Sequence, residues 1–380
     1  PAFQDADVIA GRVVEAVLAA ADPARAVRHA WAPSLDSADR VVLLATGKAS
    51  APMTEAALDR IAPRVVSGAV TCVPAHEARL AERVREHALP IRVRPADHPL
   101  PTERNIAAAN AFAETAAAAG EEDAVLVLVS GGASAHLTSP APGLTLEHVR
   151  AVTNALLRAG ATINELNAVR KHVETLKGGG LARLILPARA DVLVLSDVLG
   201  DPLDTIGSGP TAPDTSTYAD AVDALRRRGL ADDHPAVADH LERGARGEIP
   251  ESPKPGERAF ERINHTVIAN NSGAVEAARD EAEAAGMPVH RVGAGVQGEA
   301  ADVARALVAE LRGLDRPACV VLGGETTVTV GDAPGLGGRN QEFALAAAGE
   351  LTSLPDAAVL ALATDGVDGP TDAAGAFVTT

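Results

Sequence analysis

Lysine is rare in this chain, and three of its four copies stand where an ammonium group could meet a phosphate. Of 34 basic residues only Lys48, Lys171, Lys177 and Lys254 are lysine. A position that keeps a compact, mobile ammonium in an arginine-rich chain points to a use that a planar guanidinium would not serve. Lys48 follows Thr46-Gly47, Lys171 lies four residues after Asn167, and Lys177 precedes Gly178 to Gly180. Lys254, in ESPKPGER, is expected to be an ordinary surface charge. A second feature is Ser130-Gly131-Gly132-Ala133-Ser134. Glycines without side chains let successive N–H groups point into one concavity, and the serines add hydroxyl donors, so the loop suits a phosphate or a carboxylate. The loop that begins at Gly207 repeats the idea with Ser208, Gly209 and Thr211.

Carboxylates complete the set. Asp197, after the run VLVLS, can accept a proton from a substrate hydroxyl, hold a magnesium ion, or simply cap the next turn. Glu325 follows Gly323-Gly324, and Asp365 with Asp368 reads as a magnesium-side pair or as an Asx-turn. Arg339, with Asn340 and Glu342 in the first turn of a helix opened by GLGG, can clamp a transferring phosphoryl group with two hydrogen bonds. His98, between Asp97 and Pro99, could orient a substrate, although a lone loop histidine is more often bonded locally.

These residues need strands and helices to place them. Val125–Val129 reads as a strand buried on both faces, as do Val41–Ala45 and the run from Asp191, and each ends in one of the loops above. Open α/β sheets bind ligands at such carboxyl ends. Further strands are expected at 65–73, 91–95, 264–269, 288–293, 318–323 and 326–330, the last two joined by a reversal at Gly323-Gly324-Glu325. Helices are expected at 5–31, 145–159, 163–177, 272–286 and 299–313, with Thr102 as an N-cap. On the helix over 163–177, Asn167 and Lys171 share a face, and Lys177 stands at its end.

Length and composition bound the class. At 380 residues with 47% hydrophobic and only 2% aromatic content, the chain suits two α/β domains with cores of Ala, Val, Leu and Ile. The expected division is residues 1–247, a linker over 248–262 that reads as exposed, and a smaller α/β domain over 263–380. Cys72 and Cys319 lie in separate apolar runs with no CxxC, as buried thiols of a reducing compartment would. No run is long enough to span a membrane, and acidic residues stand where a signal peptide would be basic, so a cytoplasmic protein is expected. A net charge of −17 repels nucleic acid and acidic lipid alike.

In this order the stretches TGKAS, VSGGAS, NAVRKHVETLKGGG, SDVLGD, SGPT, GGETTVTV, GLGGRNQEFAL and ATDGVDG resemble the glycerate 2-kinases of the MOFRL-containing family, whose members have often been labelled hydroxypyruvate reductases. The resemblance covers nearly the whole chain. It implies a Rossmann-like parallel-sheet domain, a smaller α/β domain and an active site in the interdomain cleft. It further implies ATP and Mg²⁺ as cofactors and D-glycerate as the substrate, phosphorylated on its 2-hydroxyl. Matched by motif, Lys48 and Arg339 would both contact the transferred phosphoryl group. Asp197 is then the expected base or metal ligand, with Glu325 and Asp365 as further metal candidates. Gly47, Ser130, Gly131, Gly132, Ser134, Asn167, Lys171, Lys177, Ser208, Gly209, Gly324 and Asn340 would form the nucleotide and substrate site. Members continue into a tail with a Gly-Pro-Thr-Gly-Thr-Asn motif, whereas this chain stops at Thr380 and starts without methionine, so a truncated chain is expected.

Two rival functions remain at this point. An NAD(P)-dependent hydroxypyruvate reductase would need GxGxxG between a first strand and its helix, which is not found. A non-catalytic binder of an anionic metabolite would need the loops but not the carboxylates. The residue types leave open the oligomeric state, a homo-oligomer included, and the choice between the 2- and 3-hydroxyl.

Overall fold

In the computed structural model the described residues are 6–331 and 335–380. They divide into two compact units, one of residues 23–268 and one combining residues up to Asp22 with 269–380.

The larger unit is built on six strands: β1 (Val41–Thr46), β2 (Val65–Cys72), β3 (Ile91–Pro95), β4 (Ala124–Val129), β5 (Arg189–Leu195) and β6 (Ile263–Ala269). Their order across the sheet is β3-β2-β1-β4-β5-β6, with β1 to β5 paired in parallel. The strand at 263–269, expected to open the second domain, is thus the sixth strand of this sheet. Parallel strands are covered on both faces, which is why β4 is apolar throughout and β1 is apolar up to its last residue, Thr46. Val125, Leu126, Val127 and Leu128 are wholly buried, and each such side chain contributes about 1.5–3 kcal/mol relative to exposure. One face packs on the helices Ser50–Ile61 and Pro74–Glu86 through Leu43, Met53, Leu80 and Leu126. The other packs on Glu103–Ala117 through Leu44, Phe112 and Val127. The helices Leu146–Arg158, Ile163–Val173, Tyr218–Arg227 and Pro235–Ala245 form a separate apolar cluster around Val152, Val169, Leu225 and Leu241.

Several expectations shift. The helix over 5–31 breaks in two, Ala6–Ala21 and Pro23–His29, because proline starts a helix well but cannot continue one; Asp5 lies outside the described residues. The first piece packs on Asn271–Ala284 of the smaller unit. The helix at 163 ends at Val173, four residues early, since Glu174 is extended and bridges Pro140. Segment 248–258 is not an exposed linker: His172 Nε2 meets Glu251 Oε1 at 2.7 Å, Ser252 Oγ donates to Asp214 at 2.8 Å, and Asp214 N–H donates to Pro253 O at 2.8 Å. Lys254 is likewise engaged, its ammonium donating to Ser216 O and to Ser252 Oγ. Cys72 is buried and its thiol is pushed up to about 12, first by burial and then by Glu77.

In the smaller unit β7 (Val289–Glu299) and β8 (Cys319–Thr327) pair in parallel, and β9 (Ala358–Leu362) pairs antiparallel with β10 (Gly375–Thr379). The expected reversal at Gly323-Gly324-Glu325 does not occur. Strand β8 runs straight through it, with Gly324 opposite Val296 and Glu325 opposite Gln297. A Cβ on Gly324 would collide with the Val296 backbone, so these glycines serve close strand approach instead of a turn.

Candidate active site

The order of strands in the larger sheet reverses between β1 and β4, and a crevice opens at the carboxyl ends of the strands at such a switch point. The two loops that the sequence singles out first, Gly47-Lys48 and Ser130–Ser134, leave these two strands side by side. They are stitched together: Lys48 N–H donates to Gly131 O at 2.8 Å, Ala49 N–H to Ser130 Oγ at 3.0 Å, and Ser130 N–H to Thr46 O at 3.1 Å. Gly47 holds φ +101, and a Cβ there would overlap the Ser130 backbone. Only glycine permits both that dihedral and that approach. Ser130 is therefore a latch between loops, its hydroxyl donating to Thr46 O. Among the described residues the N–H groups of Gly131 and Gly132 take no backbone acceptor, which leaves them for an anion.

Three further strand ends converge on this glycine pair. A Cβ on Gly131 would run into the carboxylate of Asp197, which follows β5. A Cβ on Gly132, at φ +85, would stand 3.0 Å from Lys48 Cγ after β1 and 3.0 Å from His98 Cδ2 after β3. The glycines form a floor because any side chain would displace the Lys48 stem, the imidazole or the carboxylate around it. Beneath lies His136, fully buried, whose Nδ1 accepts from Gly47 N–H at 3.3 Å. That bond places the ring proton on Nε2, which has no partner among the described residues. Burial first, and then His98, pull its pKa down to about 4 against Thr71 and Asp97.

The sign of that shift sets a pH dependence of stability. Below 6.5 the unfolded chain binds a proton at this histidine, whereas the native ring does so only near 4. Stability is fully present above 6.5 and falls by about 3 kcal/mol as pH drops to 4, then levels off. Urea unfolding of the wild type and of His136→Asn, whose Oδ1 can still accept from Gly47, should show a shallower pH slope in the variant over this window. Equal slopes would remove His136 as the cause.

Beside the floor, Ser134 Oγ shares a hydrogen with Ser208 Oγ at 2.8 Å, and Ser208 Oγ reaches Asn167 Oδ1 at 3.4 Å. Ser208, at φ +61 between Gly207 and Gly209, holds a left-handed conformation that costs a non-glycine residue about 1 kcal/mol or more. Lys171 and Lys177 sit deeper than expected. The Lys171 ammonium is buried between Asp214 at 3.2 Å and Asp204 at 3.3 Å, and it helps hold the Asp214 carboxyl below its usual range despite burial, which acts the other way. Lys177 is buried against Glu174 at 2.6 Å, and burial lowers its pKa. Neither ammonium faces solvent, whereas Lys48 is partly exposed. Asp204, Asp214 and Glu174 were not singled out from sequence; a buried lysine requires such partners, but only the burial reveals which carboxylates they are.

In the smaller unit Arg339 is exposed and donates to Glu325 Oε1 at 2.7 Å. Asp368 is buried and caps the helix Arg339–Leu351, accepting from Asn340 N–H at 3.0 Å and Gln341 N–H at 2.8 Å. Burial works to raise the Asp368 pKa, but these bonds win and hold it low. Asn340 also gives its side-chain amide to Asp368. Asp365 Oδ1 accepts from Val367 N–H at 3.4 Å, the geometry of an Asx-turn. Among the described residues no three His, Cys, Asp or Glu side chains gather as a metal cage.

Comparison with known proteins decides the family. Residues 9–242 match a domain of unknown function, DUF4147, and residues 318–380 match the MOFRL family. The glycerate 2-kinase of Pyrococcus horikoshii is 37% identical, over 97% of this chain and 84% of that protein. The chain belongs to the glycerate kinase family. A solved structure of glycerate kinase from Thermotoga maritima superposes with a TM-score of 0.84 at 34% identity, over 99% of this chain and 87% of that one. A protein of Agrobacterium vitis provisionally named hydroxypyruvate reductase is 40% identical over 97% of this chain and 81% of its own length. The family's two labels thus both occur among its relatives. β1 ends at Thr46 and runs on into Gly47-Lys48-Ala49-Ser50, which is not the dinucleotide fingerprint a nicotinamide-dependent reductase of this fold would carry.

Proposed function

We propose that this member of the family transfers the γ-phosphoryl group of ATP to the 2-hydroxyl of D-glycerate. The observation that carries the proposal is a lysine, Lys48, and a carboxylate, Asp197, flanking one pair of glycines whose N–H groups take no backbone acceptor among the described residues. Phosphoryl transfer asks for little else: cations and N–H donors on the phosphate oxygens, and a base for the attacking hydroxyl. The 2-hydroxyl oxygen forms a bond to γ-phosphorus, the bond from γ-phosphorus to the β–γ bridging oxygen breaks, Asp197 takes the hydroxyl proton, and ADP leaves. Lys48 and Arg339 carry the charge of the transferred group, while Asn167, Ser134, Ser208 and Gly209 line the approach. Lys171 and Lys177 act inside the protein, holding the carboxylates that shape this wall.

Magnesium needs only one or two protein carboxylates when it arrives on a nucleotide, so the lack of a three-ligand cage among the described residues is compatible with it. Asp197, Glu325 and Asp365 are the candidates, and the ion would neutralise phosphate oxygens. No described helix is long and apolar enough to cross a membrane, and we place the enzyme in the cytoplasm with small-molecule substrates.

A coupled assay with ATP, Mg²⁺ and D-glycerate, run beside an NADH assay with hydroxypyruvate, tests the proposal, with the product's phosphate position read by NMR. NADH oxidation without ADP release would sink it. A sharper check is Gly131→Ala. Its new methyl group would displace the Asp197 carboxylate, and a shift of roughly 1 Å at a reacting group costs about 10²-fold in kcat. Full activity would mean that Asp197 is not at the reacting hydroxyl.

A further inference from the structure

Asn105 is fully buried and fastens the chain after β3 to the turn after β4. Its side-chain nitrogen donates to Asp97 O at 2.9 Å and to Ala135 O at 2.8 Å. Its oxygen accepts from Thr102 N–H at 2.9 Å and Asp97 N–H at 3.1 Å. Its two N–H donors and the two lone pairs of its oxygen are all used, and Thr102 Oγ1 adds a bond to Asp97 Oδ2 at 2.5 Å, so the segment is held without any contact from His98. The next residue, His98, is carried over Gly132, where a Cβ would stand 3.0 Å from its Cδ2 and 3.5 Å from its Nε2. The ring is exposed, feels the charges of Lys48 and Asp197, and makes no hydrogen bond to a described residue. The fold holds the loop through Asn105, and the imidazole adds nothing to that hold.

We infer that His98 contacts the substrate, its Nε2 hydrogen-bonding an anionic oxygen that lies on Gly131 and Gly132 beside the Lys48 ammonium. The inference rests on the kinase reading of this site. Two groups offer such an oxygen, the glycerate carboxylate and the transferred phosphoryl group. Burial and then Lys48 lower the pKa of the ring against the pull of Asp197. At neutral pH the ring therefore supplies one N–H without adding a second cation beside Lys48. An anion docked against it strengthens its hold on a proton.

Histidine-labelled protein, with the His98 resonance assigned by its loss in His98→Gln, is titrated with D-glycerate and separately with ATP. The His98 signal should move and its titration midpoint should rise with whichever ligand brings the anion. A hydrogen bond to a charged group corresponds to about 10- to 100-fold. His98→Ala should accordingly raise KM for D-glycerate by that factor if the carboxylate is the partner, or lower kcat by it if the phosphoryl group is. His98→Gln, whose amide nitrogen reaches the Nε2 position, should recover part of either loss. The ring is exposed, so both variants should melt with the wild type. A resonance indifferent to both ligands, or wild-type KM and kcat in His98→Ala, overturns the inference. A wild-type protein without kinase activity whose His98 signal still answers to D-glycerate would break the kinase reading and leave this contact standing.

Discussion

Lys48→Ala is expected to lower kcat with ATP and D-glycerate by about 10²- to 10³-fold, the loss seen when a preorganised donor is taken from a developing phosphate or oxyanion charge. The backbone bond that ties Lys48 across the loops, N–H to Gly131 O at 2.8 Å, is kept by alanine, so the two loops should stay joined in the variant. Lys48→Arg should restore little. A guanidinium is a broad planar fork and not a compact point charge, so it presents its donors to a phosphate in a different geometry from the ammonium it replaces. Steady-state kinetics with a melting curve as control decide the matter. Near-normal turnover in Lys48→Ala would remove the central cation from the proposed mechanism.

Arg339→Ala should have a comparable or larger effect, about 10³-fold in kcat, if its guanidinium neutralises the transferred phosphoryl group as arginines do in other phosphotransferases. Its ion pair with Glu325 is solvent-exposed on both sides, and such pairs contribute about 0–1 kcal/mol. The variant should therefore unfold with the wild type, and any kinetic loss is chemical. Glu325→Gln separates the two partners. Were Arg339 there only to hold Glu325, the two variants would fail alike; a far milder Glu325→Gln assigns the charge to arginine. Turnover unchanged in both would confine Arg339 to the surface pair.

How much was legible beforehand follows from which physical signals are local. Strands such as Val41–Thr46 and Ala124–Val129 announce themselves, since a parallel strand covered on both faces is a near-continuous apolar run. The Thr102 cap is equally local: its hydroxyl accepts from Arg104 N–H, and Asn105 returns a bond to Thr102 N–H, all within four residues. Where the structure departs from these local signals, the cause is a contact between distant residues. Gly323-Gly324 reads as a turn because glycine permits one, yet it lies in a straight strand where the Val296 backbone comes too close for any Cβ. Lys177 reads as a phosphate cation because glycines surround it, but its ammonium is spent on Glu174, and the helix meant to present it ends at Val173. His98 reads as an ordinary loop histidine, and nothing in its sequence neighbours hints that Asn105 fastens its loop beside Gly132.

The amino-acid sequence by itself determined the α/β class, the small-residue loops at strand ends, the scarcity of lysine and the family to which these belong, because backbone sterics and hydrophobic periodicity act over a few residues. Only the tertiary structure decided that the ends of β1, β3, β4 and β5 meet at one point, and that Lys171 and Lys177 are buried against carboxylates. Strand order is set by contacts between residues separated by tens of positions. Whether an ammonium is a ligand group or a buried counter-ion depends on the carboxylate that folding brings beside it.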